Sequence, residues 1–160
     1  MTATESTESR RRIVVGVDGS PASLSALEWA VLQGALTGAV VEAVTAWHVP
    51  ATYGEYQIVD PVDWHSNAQT IQDIAVKEVL GDETASLVRR VAQGHPVTVL
   101  LDAAAGADLL VVGSRGHGGF TGMLLGSVSE HVVAHAPCAV VVIKAPRPAG
   151  DTHGTAGATS

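Results

Sequence analysis

The sequence predicts an α/β fold, a Rossmann-like three-layer sandwich built on a five-stranded parallel sheet. Three observations carry that prediction. Short runs rich in Val, Ile and Leu alternate with segments of helical periodicity, the pattern of repeated βαβ units. The runs are largely apolar and do not alternate with polar residues, as befits strands covered on both faces. Aromatics make up only 4% of the chain, so the core is left to Val, Leu, Ile and Ala, which suit a helix-covered sheet. At 160 residues there is room for one domain with a sizeable core and not for two ordinary ones.

The first strand is Ile13-Val14-Val15-Gly16-Val17. Asp18-Gly19-Ser20-Pro21 follows, a tight turn in which Ser20 can cap a helix and Pro21 take its first position, where a missing N–H is harmless. That helix carries Leu24, Leu27, Ala30 and Val31 at spacings of three and four, and breaks at Gly34 or Gly38. The second strand runs from about Val40 to Trp47. After the loop HVPATYGEY, residues 65–80 show a helical pattern in Ile71, Ile74, Ala75 and Val79, and a third strand, Leu87 to Val91, ends at Gly94. Pro96 begins a helix bearing Val97, Leu100, Leu101 and Ala104; beyond Gly106, Asp108 to Val112 is a buried strand. The last helix has Val128, Val132 and Ala136 on one side and stops before Pro137, because the residue preceding a proline is pushed out of the helical region. Ala139 to Ile143 is the fifth strand. Right-handed crossovers put helices on both faces of such a sheet, and ligands bind at the C-terminal strand ends where strand order reverses.

Both ends of the chain are polar or small and lack periodicity, so residues 1–10 and 146–160 are expected to be disordered tails around a folded unit of 11–145. The formal charge of −7 argues against a nucleic-acid partner, and Arg10-Arg11-Arg12 is read as a solvated flank. Cys138 is the single cysteine, which excludes an internal disulfide and favours a reducing compartment. No apolar run approaches the roughly 18 residues of a membrane span, and the N-terminus lacks a secretion signal, so a cytoplasmic protein without a membrane partner is expected.

The chemistry concentrates in GSRGHGGFTGMLLGS, Gly113 to Ser127, which holds six glycines. A loop that leaves a buried strand and enters a helix lies at the binding edge of the sheet. Its uncovered amides can converge on an anion while the helix N-terminus adds its dipole, so phosphate is the natural guest. Familiar nucleotide and hydrolase motifs are absent: there is no G-x-x-x-x-G-K-[ST], no G-x-G-x-x-G and no G-x-S-x-G, and the only lysines are Lys77 and Lys144. Ser127 and Glu130 form an S-x-x-E capping box, compatible with a phosphate contact from Ser127 but setting Glu130 close to negative charge. His131 and His135, four apart, lack the H-E-x-x-H arrangement and are read as solvent-facing or helix-end residues, not a metal pair. Asp18 could cap its own turn; beside the switch point it is read as a ligand contact, to a ribose or base or to a cation.

Gly113-x2-Gly116-x9-Gly126-Ser127 resembles the ATP-binding signature G-2x-G-9x-G-[ST] of the universal stress protein family, without a gap. IVVGVDGSPAS, AVTAWHVP and GADLLVVGSRGHGGFTGMLLGSVSEHVVAHAPCAVVVIK support the likeness across residues 11–145, least strongly between 50 and 85. The resemblance implies strand order 3-2-1-4-5, with Asp18 and the glycine loop in one cleft. It implies that Gly16, Val17 and Asp18 meet adenine and ribose, and that Ala46 or Trp47 meets the base. Gly113, Ser114, Arg115, Gly116, His117, Gly118, Gly119, Gly126, Ser127, Val128 and Ser129 would surround ribose and phosphates. ATP, accompanied by Mg2+, is the implied ligand, and a homodimer through residues 139–143 the implied assembly. The expected function is a nucleotide-dependent regulatory module of the stress response, read by a protein partner that the sequence does not name. A slow ATPase and a nucleotide-free dimeric interaction protein are the alternatives. The first reading is favoured because no general base is evident and no lysine is placed to stabilise a transferring phosphate.

Overall fold

The computed structural model describes residues 10–50, 63–83, 87–117 and 124–146. Its elements alternate as β1 (Arg12–Gly16), α1 (Pro21–Thr37), β2 (Val40–Trp47), α2 (Trp64–Leu80), β3 (Leu87–Gln93), α3 (Pro96–Ala104), β4 (Leu109–Gly113), α4 (Ser127–His135) and β5 (Ala139–Ile143). The strands form one sheet of order β3-β2-β1-β4-β5, and every pairing is parallel. The three-layer α/β architecture expected from the sequence is therefore present.

Successive residues of β1 supply two separate cores, because side chains alternate across a strand. Ile13, Val15 and Val17 pack with Ala26, Leu27 and Ala30 of α1 and with Ala75 and Val76 of α2. Val14 faces the other way, toward Val99, Leu100, Ala103 and Ala104 of α3 and Val132 of α4. At the N-terminal end of the sheet Arg12 bonds Glu42 at 2.6 Å and the carbonyls of Ala103 and Ala105 at 3.0 and 2.6 Å, tying β1, β2 and the end of α3 together.

Helix ends follow the expected local chemistry, with some shifts. Ser20 caps α1 and Pro21 opens it. Of the two glycines expected to break that helix, only Gly38 does so, in the left-handed conformation with φ 72°. Gly34 is instead an interior packing residue: a Cβ there would meet Val41 Cγ2 at 2.5 Å. β3 continues two residues past Val91 to Gln93, and in α3 the deeply buried residues are Val99, Leu100, Ala103 and Ala104, with Val97 and Leu101 only half-buried. The capping box at Ser127 does not form. Gly126 is the N-cap of α4, its N–H held by Ser114 O at 2.7 Å and its carbonyl receiving Glu130 N–H at 2.9 Å, so Ser127 becomes the first helical residue.

Candidate functional site

The order β2-β1-β4 reverses chain direction of growth at β1, and the C-terminal ends of β1 and β4 lie side by side there. The turn after β1 is tied down by its own side chains. Asp18 Oδ1 accepts from the N–H of Ser20 at 2.9 Å and from the Ser20 hydroxyl, while Asp18 N–H reaches Ser23 Oγ at 3.3 Å. Gly19 stands at φ 81°, and a Cβ on it would come within 3.0 Å of Ile71 Cγ2. Asp18 thus caps its turn with one oxygen and points the other at the β4 loop, since a Cβ on Gly116 would lie 2.6 Å from Asp18 Oδ2.

The β4 loop is fastened at its base. Ser114 N–H donates to Ile143 O at 2.7 Å, and Ser129 Oγ donates to Gly113 O at 2.6 Å. His117 Nε2 lies 2.8 Å from Asp18 O; a carbonyl only accepts, so that nitrogen carries the proton. The signature glycines serve different needs. A Cβ on Gly113 would be 2.8 Å from the carbonyl carbon and Cβ of Ala22 and 2.9 Å from Ser23 N, so the close approach of α1 to β4 requires it. Among the described residues a Cβ on Gly126 would meet nothing nearer than 3.5 Å, and φ there is −73°, a value any residue adopts. Among the described residues nothing in the packing demands glycine at 126.

Between the turn and the loop opens a cavity of about 600 Å³, within the range of small-molecule sites. One end is apolar, walled by Val17, Val44, Ala46, Pro96, Leu100 and Val112. The other is polar, with Asp18, Arg115, Gly116, His117, Ser127 and Ser129 around the first turn of α4. Among the described lining residues Arg115 is the fixed cation and Asp18 the carboxylate. Two backbone bonds orient β2 at the apolar end. Val17 N–H donates to Val44 O at 2.9 Å, and Gly94 N–H to Trp47 O at 2.8 Å. Carbonyls therefore turn alternately to β1 and β3, and Ala46 turns its N–H and C=O toward β1, beyond where β1 ends.

Of the sequence-derived candidates, Gly16, Val17, Asp18, Ala46, Gly113, Arg115, Gly116, His117, Gly126, Ser127, Val128 and Ser129 line the cavity. Trp47 does not: its ring makes an edge contact with His65, 5.9 Å between centroids, so between Ala46 and Trp47 the structure brings Ala46 to the cleft. Ser114 is buried beneath the loop and absent from the lining. Gly118 and Gly119 lie outside the described residues. Sequence reasoning missed Ser20, Ser23, Val44, Pro96, Leu100, Val112 and Leu125, which also line it. The switch-point rule could have found the strand-end residues Val44 and Val112, whereas Leu100 enters only through the packing of α3 under Gly16.

The model of the universal stress protein family matches residues 9–144. A universal stress protein of Mycolicibacterium smegmatis is 35% identical over 141 residues, covering 86% of this chain and 47% of that protein. One from Mycobacterium tuberculosis strain H37Rv is 34% identical over 141 residues, covering 84% of this chain and 44% of that protein. This chain spans about half the length of these curated relatives. Among solved structures, the universal stress protein UspA from Lactobacillus plantarum superposes with TM-score 0.68 at 27% identity, over 83% of this chain and 97% of that one. A universal stress protein in complex with cAMP gives TM-score 0.65 at 26% identity, over 85% and 98%.

Proposed function

The chain belongs to the universal stress protein family, and from that premise we propose that it is an ATP-binding regulatory module of the stress response whose cleft occupancy is read by a protein partner. The observation that carries the reading is the two-ended cavity: apolar walls beside the outward main-chain groups of Ala46, and a glycine-cleared loop leading into α4. Adenine presents an acceptor at N1 and a donor at N6, the complement of the N–H and C=O of Ala46. At the other end, the first turn of α4, Arg115 and the hydroxyl of Ser127 suit phosphate oxygens. Asp18 Oδ2 is a hard oxygen of the kind Mg2+ prefers, and Mg2+ bound there would neutralise phosphate charge that Arg115 alone leaves uncompensated.

Among the described residues β5 closes the sheet on one side and pairs with β4 alone. Its Val140 to Ile143 are half-buried in the single chain, so a second copy joined along 139–143 covers an apolar edge that otherwise invites uncontrolled pairing. Such a dimer gives occupancy a surface to act on, because Ile143 O holds the base of the glycine loop through Ser114 N–H. Light scattering at micromolar concentration tests the assembly, with a monomer contradicting it. Mass spectrometry of the small molecules released on denaturing freshly purified protein tests the ligand. ATP in near-stoichiometric amount supports the reading; an empty protein that also fails to bind added ATP overturns it. No helix among the described residues is long and apolar enough to cross a membrane.

A further inference from the structure

The turn that carries Asp18 is held from behind by a buried polar relay beginning in α2. Gln72 is only 1% exposed, yet its amide is fully engaged. Nε2 lies 3.1 Å from each of Ala43 O, Thr45 Oγ1 and Arg90 O, and Oε1 accepts from Arg89 Nε at 3.4 Å. Acceptors around the nitrogen and a donor at the oxygen fix which way round the amide lies. Thr45, also buried, donates its hydroxyl proton to Val17 O at 2.8 Å, which turns an oxygen lone pair toward Gln72. The chain of donors therefore runs in one direction, from Gln72 N–H to Thr45 O–H to the Val17 carbonyl.

That carbonyl lies just past the end of β1, where a side chain takes over the hold that a neighbouring strand supplies elsewhere. It belongs to the Val17–Asp18 peptide, so its direction sets where the Asp18 carboxylate and the turn amides face. α2 meets the same turn a second time, with Ile71 Cγ2 against Gly19. Apolar side chains of similar size would fill the space without any need for partners. Polar ones buried this deeply need every bond satisfied, and what they add is direction.

We propose that Thr45 and Gln72 are positioning residues of the cleft: their relay fixes the Val17–Asp18 peptide and thereby tunes ligand affinity from α2. The ligand in this inference is the adenine nucleotide of the preceding reading. Two readouts on the full chain test it: amide hydrogen exchange of residues 17–20 without ligand, and ATP affinity by calorimetry well below the melting temperature. Thr45→Val and Gln72→Met each speed exchange at Val17 and Ser20, and each weaken ATP about tenfold, the loss of one buried hydrogen bond. Thr45→Ser keeps both near native, and Thr45→Val/Gln72→Met falls no further than the worse single variant, since the relay acts as one unit. Leu110→Ala, in the core and outside the cavity lining, lowers the melting temperature but leaves ATP affinity within about twofold. Unchanged exchange in the turn overturns the relay, as does equal loss of ATP affinity in Leu110→Ala or failure of Ser to restore it. If the native protein binds no ATP, the nucleotide reading fails on its own, and the exchange measurement still decides whether the relay holds the turn.

Discussion

Replacing Gly113 and Gly126 separately by alanine distinguishes a glycine that serves the fold from one that serves a ligand. At Gly113 the added methyl falls 2.8 Å from two atoms of Ala22 and 2.9 Å from Ser23 N, mostly backbone that cannot rotate away. α1 must retreat from β4, an overpacking cost of about 1–3 kcal/mol, or about 3–10 °C in melting temperature for a domain of this size. At Gly126 the nearest atom of the described residues to the methyl is 3.5 Å away, an ordinary contact. Loss of a tolerated N-cap residue is there offset by the reduced freedom of the unfolded chain, so stability changes by about 0.5 kcal/mol or less. The same methyl nevertheless intrudes on the space beside the first turn of α4. Transferred to the bound state, the overpacking cost becomes about tenfold to a hundredfold in ATP affinity. Thermal denaturation and calorimetric titration of both variants check this. If Gly126→Ala is destabilised as much as Gly113→Ala while keeping native ATP affinity, the division of roles is wrong.

Three further outcomes follow from the same structure. Glu42→Leu strips Arg12 of its carboxylate while leaving it among backbone carbonyls, and denaturant titration should show a loss of about 2 kcal/mol. The Ser66 N–H and hydroxyl hold the carboxyl of Asp63, the cap of α2, below its ordinary 3.8. A lowered carboxylate contributes stability above that value and loses it as pH falls. Protection of the amides of 64–67, taken as exchange relative to the intrinsic rate at each pH, should therefore fall on acidification below pH 3.8 in the native protein and much less in Asp63→Asn; an equal fall in both contradicts the cap. Burial, aided by Asp108, raises the Cys138 thiol above its ordinary 9.0, so at pH 8 it should react with iodoacetamide more slowly than a free thiol. Its contribution to stability is intact below pH 9.0 and declines as pH rises beyond it.

The layers were legible because strand and helix patterns alternate locally, whereas the strand order came only with the family resemblance. Val-rich strands such as Ile13 to Val17 and Leu109 to Val112 do not read as anything else, and the signature spacing located the loop that enters α4. What escaped depends on packing between distant segments. Whether Ala46 or Trp47 faces the cleft is a question of strand phase, and it is answered only once Trp47 is seen against His65. Gly34 and Gly38 look alike in sequence, but Val41 presses on one, and among the described residues nothing would lie within 4 Å of a Cβ on the other. The cap at Gly126 in place of Ser127 depends on Ser114 O, twelve residues away in the chain, which no local motif encodes. Gln72 and Thr45 gave no sequence signal at all, since each is an ordinary polar residue until the sheet and α2 bring them together.

Calorimetric titration of nucleotide-free protein with ATP and, in parallel, GTP bears most directly on the cleft. GTP carries the opposite donor and acceptor at the positions that meet the main chain of Ala46, with the same triphosphate for the glycine loop. ATP binding at one site per chain, at least about tenfold tighter than GTP, is the predicted result. Equal affinity for the two, or heat from neither, contradicts an adenine nucleotide site between Ala46 and Ser127.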